Sequence, residues 1–135
     1  MIKIYFDENM SPYIAEGLNI LEQPNNEGFE VKSISKVFGS GVKDNEWIPE
    51  VGRENGIVIT QDFNIHRTKC LKELYINSGI GVFFFSPPSK TGYKYWEMVQ
   101  QIIRRWDEMK KYSKKDVKPF AYRCTSRSSK FERLG

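Results

Sequence analysis

The stretch GIVITQDFN, residues 56–64, decides the fold. Its first half, GIVIT (56–60), is a continuous apolar run that begins at a glycine. A strand without polar alternation is buried on both faces, which is typical of a parallel sheet covered by helices. Its second half, QDFN (61–64), places Asp62 and Asn64 directly after that strand. The stretch therefore predicts a buried parallel strand whose carboxyl end carries polar side chains.

Outward from this stretch, strands and helices alternate along the chain. Further strands are predicted at IKIYF (2–6), FEVKSI (29–34) and IGVFFF (80–85). The predicted helices are one that starts at Ser11–Pro12 with Ile14, Leu18 and Leu21 on its apolar face, one capped by Asp44, one carrying Cys70 to Tyr75, and one over 93–111. This alternation predicts an α/β protein with a central, mainly parallel sheet between helices, a three-layer α/β/α arrangement.

The C-terminal part has a different pattern. The segments PFAYRC (119–124) and KFERL (130–134) predict a terminal β-hairpin, and KKYSKKDVK (110–118) is linker-like. We therefore expect a single domain over residues 1–135, with an α/β core at 1–111 and a basic tail with a hairpin at 112–135.

Composition excludes several classes of protein. Hydrophobic residues make up 39% and charged residues 28% of the chain, which is typical of a soluble globular protein. No apolar run approaches the roughly 20 residues of a membrane helix, so no membrane partner is expected. Cys70 and Cys124 match no metal-ligand spacing and indicate thiols in a reducing cytoplasm.

Charge is distributed unevenly. Residues 1–109 carry 12 Lys and Arg against 15 Asp and Glu, whereas residues 110–135 carry nine against two. An acidic body with a basic tail suits a cation site that serves a polyanionic substrate. A solvated, solubilising tail explains the same pattern and stays open.

Polar residues gather where the predicted strands end. In open α/β sheets, ligands bind beyond the carboxyl ends of the strands. Three groups qualify: Asp7, Glu8 and Asn9 after the first strand, Asp44 and Glu46 at a helix start, and Thr60, Asp62 and Asn64 at the third strand. Carboxylates that meet repel each other unless a cation or proton neutralises them, and oxygen ligands suit Mg²⁺ or Mn²⁺. Taken singly, Asp44 is a helix cap, Asp62 a turn residue and Glu8 a solvated side chain.

Two other kinds of chemistry lack support. His66 is the only histidine, so nucleophilic catalysis has no visible base–partner pair. A surface residue at a helix start is the simpler interpretation of His66, and a contact to the substrate is the alternative. The sequence GSG (39–41) lacks the spacing and the following Lys of a phosphate-binding loop.

The ordered set of FDEN (6–9), GVKDNEW (41–47) and IVITQDFNI (57–65) resembles the PIN-like domain family. The subgroup it resembles is the one related to VapC-type toxins, and the C-terminal PFAYR and KFERL segments are also similar to that subgroup's ending. The resemblance implies a Mg²⁺- or Mn²⁺-dependent endoribonuclease, the toxin of a toxin–antitoxin pair, with RNA as substrate and an antitoxin protein as partner. A homodimer stays open.

Position by position, the resemblance implies that Asp7, Glu46 and Asp62 are the catalytic metal ligands. Asp44 lies close by as a helper or cap. Asn64 stands where many relatives have a fourth acid, which favours a one-metal site or reduced activity. Residues expected to orient these ligands or water are Glu8, Asn9 and Thr60.

RNA binding is assigned to basic residues, namely Arg67, Lys69, Arg123 and Lys130. Tyr122 and Phe131 either stack on unpaired bases or pack in the core, with packing the simpler role.

Two other functions compete. A receiver-like phosphorylation switch would use Asp7, Glu8 and Asp62, with Ser86 and Lys90 after the next strand. An inactive nucleic-acid- or protein-binding module would keep the fold without the chemistry.

Overall fold

The computed structural model describes residues 1–134, which contain six strands, six α-helices and one short 3-10 helix at Gln23–Asn25. The strands are β1 (Ile2–Phe6), β2 (Phe29–Ser33), β3 (Ile57–Thr60), β4 (Gly81–Ser86), β5 (Phe120–Thr125) and β6 (Glu132–Arg133). The helices are α1 (Pro12–Glu22), α2 (Ile34–Phe38), α3 (Asp44–Arg53), α4 (Asn64–Arg67), α5 (Lys69–Ser78) and α6 (Tyr95–Lys115).

One sheet organises the molecule. Its strand order is β2-β1-β3-β4-β5-β6; the first five strands are parallel and β6 is antiparallel to β5. Helices α1 and α6 pack on one face, whereas α2 to α5 pack on the other. Every residue of β3 is buried because helices cover both of its faces. The predicted α/β fold with a mainly parallel sheet is confirmed.

The C-terminal strands belong to this sheet. The predicted antiparallel pair exists, with Tyr122 opposite Arg133, but β5 also pairs in parallel with β4 along its whole length. Gly81 of β4 allows this pairing, because a Cβ there would collide with the ring of Phe120. The hairpin is therefore an extension of the central sheet.

The predicted linker at 110–118 is wrong over most of its length. Helix α6 continues to Lys115, so the boundary drawn between residues 111 and 112 falls inside a helix. Lys110 is buried and forms ion pairs with Glu22 at 3.1 Å and Glu27 at 2.6 Å. The run of lysines has the local pattern of a solvated segment. That pattern is misleading here because Glu22 and Glu27, which neutralise Lys110, are distant in sequence.

Helix starts and ends agree with the sequence in some places and differ in others. Ser11 caps α1, since its Oγ accepts a hydrogen bond from the backbone N–H of Tyr13. Leu21 was expected on the buried face of α1, but 69% of it is exposed. The second strand ends at Ser33, one residue earlier than predicted, because Ile34 begins the short helix α2.

None of the helices in residues 1–134 is long and apolar enough to cross a membrane.

Candidate active site at the carboxyl ends of β1 and β3

Asp7 lies where the two central strands end side by side. Its backbone N–H donates to the carbonyl oxygen of Ile59 at 3.0 Å, which continues the β1–β3 ladder by one residue. Only 6% of Asp7 is exposed. Its Oδ2 accepts from the Thr60 hydroxyl and its Oδ1 from the backbone N–H of Glu8, both at 2.8 Å. The carboxyl group is therefore held in one orientation.

The electrostatics of Asp7 are unfavourable for its charged form. The pKa of Asp7 is raised to about 6, chiefly by burial and further by the nearby carboxyl groups of Asp44 and Asp62, which together outweigh the lowering effect of the Thr60 and Glu8 hydrogen bonds. The protein thus places a carboxyl group where ionisation lacks a compensating positive charge, which is typical of functional sites.

A network of neutral groups fixes this carboxyl group. The buried Thr60 hydroxyl donates to Asp7 and accepts from the backbone N–H of Asp62 at 2.9 Å. The Asn9 side-chain amide lies within 3.2 Å of the Thr60 hydroxyl and 3.4 Å of Asp7 Oδ2. Asn9 and Thr60 therefore contact the acid that they were predicted to orient.

Asp62 and Asn64 follow β3, as predicted, but they differ in environment. Asp62 is half-buried, and its Oδ1 accepts from the backbone N–H of Asn64 at 2.9 Å, which begins α4. Asn64 itself is exposed. Asp62 therefore acts as a turn residue through Oδ1, and its Oδ2 accepts no hydrogen bond within residues 1–134.

Asp44 is the third acid of this edge. It is the first residue of α3, and its Oδ1 accepts from Trp47 Nε1 at 3.0 Å. The helix cap is Lys43, so the interpretation of Asp44 as the cap is wrong. Burial raises the pKa of Asp44, and the negative charges of Asp62 and Glu8 raise it further. Asp44 therefore belongs electrostatically to the same group of acids.

Glu46 lies on a different side of α3 from Asp44. It is exposed, and it is two residues beyond Asp44, about 200° around the helix axis. Asp44 shares the buried face of α3 with Trp47 and Ile48, three and four residues later. The charges of Asp44 and Asp62 thus both act on the Asp7 carboxyl group, whereas Glu46 is exposed on the solvent side of α3.

Glu8 connects two parts of the site. Its side chain is exposed, and its Oε1 accepts from the backbone N–H of Gly41 at 2.7 Å. Gly41 has φ +78°, a conformation that favours glycine. Glu8 therefore tethers the loop that leads to Asp44.

The donor chemistry of the site fits a hard divalent cation. Carboxylate, amide and hydroxyl oxygens are the ligands of Mg²⁺ and Mn²⁺. Within residues 1–134, however, no group of three or more His, Cys, Asp or Glu side chains is close enough to form a ready-made metal cluster.

The predicted RNA-binding residues occupy different surroundings. Arg67 and Lys69 are exposed at the junction of α4 and α5, and Lys130 is exposed before β6. Arg123 is half-buried on β5, and its Nε donates to Ser86 Oγ at 2.7 Å. Tyr122 and Phe131 are buried in the core, as the simpler interpretation expected.

Sequence reasoning missed Gln61 and Phe63. Gln61 Nε2 donates to the Asn9 carbonyl oxygen at 2.7 Å, and Gln61 Oε1 accepts from the backbone N–H of Tyr93 at 3.1 Å. Phe63 lies under the guanidinium groups of Arg67 and Arg123. The signal available was position, because both residues flank Asp62 in QDFN.

Ser86 and Lys90 of the receiver-like alternative, and His66, the single histidine, lie in different surroundings. The Ser86 hydroxyl accepts from Arg123, and Lys90 is exposed four residues beyond β4. His66 was expected at the surface, but it is half-buried, with Nδ1 2.8 Å from the Tyr75 hydroxyl. Burial and the positive charges of Lys72 and Arg123 lower its pKa, which favours a neutral imidazole.

The model of one protein family, described as a PIN like domain, matches residues 2–87 of the chain. Comparison with curated proteins gives no match. Comparison with solved structures gives none either.

Proposed function

Because this chain belongs to the PIN-like domain family, whose members are often nucleases, we propose that it is a metal-dependent endoribonuclease. We extend the proposal to the toxin half of a toxin–antitoxin pair, with an antitoxin protein as its partner. The observation that carries the nuclease proposal is the buried carboxyl group of Asp7, whose pKa is raised to about 6 beside Asp44 and Asp62.

Three acids from three separate segments repel each other in the absence of a cation. Asp7 follows β1, Asp44 begins α3 and Asp62 follows β3, and the charges of Asp44 and Asp62 both raise the pKa of Asp7. A divalent cation held by these three residues would remove the repulsion. We therefore assign the third ligand position to Asp44 instead of Glu46.

A bound Mg²⁺ or Mn²⁺ ion would supply a water of lowered pKa and would stabilise the charge that develops on phosphoryl oxygens. The chain's own residues prepare the site. Thr60 and Asn9 hold the Asp7 carboxyl group in one orientation, and Glu8 tethers the loop before Asp44. Because Asn64 is exposed and offers an amide only, a one-metal site is the simpler expectation.

The substrate proposal rests on charge. Arg67, Lys69, Arg123 and Lys130 supply positive charge for RNA phosphates, which attract Lys and Arg irrespective of base sequence. Phosphate contacts would position the RNA, and the acids would act on one phosphodiester bond.

The test is cleavage of a fluorescently labelled RNA with Mg²⁺ or Mn²⁺, and with EDTA as the metal-free control. Asp7→Asn and Asp62→Asn are expected to abolish cleavage, because each removes a charged ligand without changing side-chain size. Glu50→Gln is the matched control, since Glu50 is exposed on α3 and its carboxyl group pairs with Arg53. Equal cleavage by wild type, Asp7→Asn and Asp62→Asn would refute the assignment.

A further inference from the structure

Two arginine guanidinium groups lie over the ring of Phe63, the residue directly after Asp62. The Arg123 Cζ atom lies 4.5 Å from the centroid of the Phe63 ring, and the Arg67 Cζ atom lies 5.3 Å from it. Both distances are within the roughly 6 Å over which a cation is attracted to an aromatic face. The Phe63 ring therefore holds two positive charges near Asp62 of the candidate active site.

Arg123 is held from a second direction. Its Nε donates to the hydroxyl of Ser86, the last residue of β4, at 2.7 Å. In the sheet, Arg123 pairs in register with Phe84, so β5 delivers it to the same edge at which β3 delivers Asp62. The residue lies outside the segment 2–87 that matches the family, and the C-terminal part of the chain contributes it.

Neither arginine is neutralised within the part of the chain that the structure describes. The ion pairs of residues 1–134 include no contact of Arg67 or Arg123 with a carboxylate. Arg123 bonds instead to a neutral hydroxyl. An arginine that is oriented by neutral groups keeps its charge and its other N–H donors for a ligand, and planar guanidinium suits phosphate.

We propose that Phe63, Arg67 and Arg123 form a nucleotide subsite beside the acids. The guanidinium plane of Arg123 stacks on one unpaired base, and the free N–H groups of Arg67 and Arg123 hold an adjacent phosphate. The subsite rests on the proposed function, because it takes RNA to be the ligand. Its consequence is that β5, beyond the matched segment, completes the substrate-binding surface.

The first experiment measures binding without cleavage. A fluorescein-labelled single-stranded RNA of about ten nucleotides is titrated with full-length protein in EDTA, and anisotropy is read at several salt concentrations. Arg123→Gln and Arg67→Gln are each expected to weaken binding about tenfold and to reduce the salt slope by about 0.7. Arg104→Gln is the matched control, since Arg104 is exposed on α6, which covers the opposite face of the sheet.

A second variant separates stacking from charge. Arg123→Lys keeps the charge but loses the guanidinium plane, so its salt slope should equal that of wild type while its affinity falls. An RNA with abasic nucleotides should bind wild type as weakly as intact RNA binds Arg123→Lys. Arg123→Lys also guards against misfolding of the glutamine variant, and the thermal unfolding midpoint of each variant is measured.

Two results would overturn the subsite. One is RNA binding by Arg123→Lys and Arg123→Gln that is indistinguishable from wild type, and the other is a loss no larger than that of Arg104→Gln. Failure of the proposed function has a different signature. Binding in EDTA that depends on Arg123, without cleavage in Mg²⁺ or Mn²⁺, would refute the nuclease and leave the subsite standing. Cleavage that depends on Asp7, with normal binding by both Arg123 variants, would do the reverse.

Discussion

Asp7 combines tight structural restraint with an unfavourable charge. Thr60 and the backbone of Glu8 hold its two oxygens, yet burial and the neighbouring acids raise its pKa to about 6. A group whose pKa rises on folding binds its proton more tightly in the folded state. The charged form of Asp7 therefore destabilises the metal-free protein near neutral pH.

This shift predicts a dependence of stability on pH. The folded pKa of Asp7 is about 6 and its ordinary value is 3.8. Protonated Asp7 therefore makes its full contribution to the free energy of unfolding below pH 4, and this contribution is lost as the pH rises to 6. In EDTA at pH 7.5, Asp7→Asn should be about 3 kcal/mol more stable than wild type in urea unfolding, and at pH 4 the advantage should be absent. A destabilised Asp7→Asn at pH 7.5 would contradict this account.

A second prediction distinguishes Asp44 from Glu46. Asp44 has a raised pKa beside Asp62 and Glu8, whereas Glu46 is exposed on the other side of α3. Asp44→Asn should weaken Mn²⁺ binding about 10- to 100-fold in calorimetry, and Glu46→Gln should leave it nearly unchanged. The reverse order would restore Glu46 as the ligand and reject Asp44.

Among the elements, α6 depends most on distant partners. Lys110 on its buried face lies between Glu22 and Glu27, and Trp106 Nε1 also donates to Glu22 at 2.9 Å. These contacts join α6 to the end of α1, on the same face of the sheet. An ion pair at this depth is sensitive to the loss of one partner, because the remaining charge stays buried.

Loss of the Lys110 side chain should therefore destabilise the folded protein. Lys110→Ala is expected to lower the free energy of unfolding by about 3 kcal/mol in chemical denaturation. Lys111→Ala, at the exposed neighbouring position, is the control and should change little. Equal stability of the two variants would mean that the Glu22–Lys110 pair contributes nothing to the packing of α6.

Two helix glycines predict opposite outcomes. A Cβ at Gly17 in α1 would meet nothing within 4 Å, whereas a Cβ at Gly52 in α3 would collide with the backbone oxygen of Ser78. Gly17→Ala should stabilise the protein by about 0.5–1 kcal/mol, because it removes backbone entropy from the unfolded chain. Gly52→Ala should lower the unfolding midpoint. Thermal unfolding of both variants checks the pair, and a destabilised Gly17→Ala would argue against the open space at α1.

At the scale of the whole molecule, the sheet makes residues 116–134 part of the core. Strand β5 pairs along β4, and Phe120, Tyr122 and Phe131 pack in the cluster that contains Phe83 and Phe85. Removing β5 would expose the edge of β4 and one face of the apolar cluster.

A truncation after Lys115 should therefore fail to fold cooperatively. Its circular dichroism should lose the sharp thermal transition of the full chain. A truncation after Phe131 keeps β5 and the buried ring and should retain a transition at lower temperature. A sharp transition in the shorter chain would mean that residues 116–134 are dispensable, as a solvated tail would be.

The sequence by itself determined the strand–helix alternation, the buried parallel strand 57–60 and the positions of Asp7 and Asp62 after their strands. These features are local, because apolar runs, caps and strand ends are set by neighbouring residues. The cap at Ser11 and the glycine end of α5 at Gly79 follow from the same local rules.

Only the tertiary structure decided which acids influence the Asp7 carboxyl group. A helix must be placed against the sheet before one of its faces is buried, so spacing could not choose between Asp44 and Glu46. The same holds for Lys110, whose partners Glu22 and Glu27 lie more than 80 residues away. It also holds for Arg123, which reaches Phe63 only because β5 lies beside β4. Long-range contacts depend on the packing of whole elements, and the local sequence pattern does not encode them.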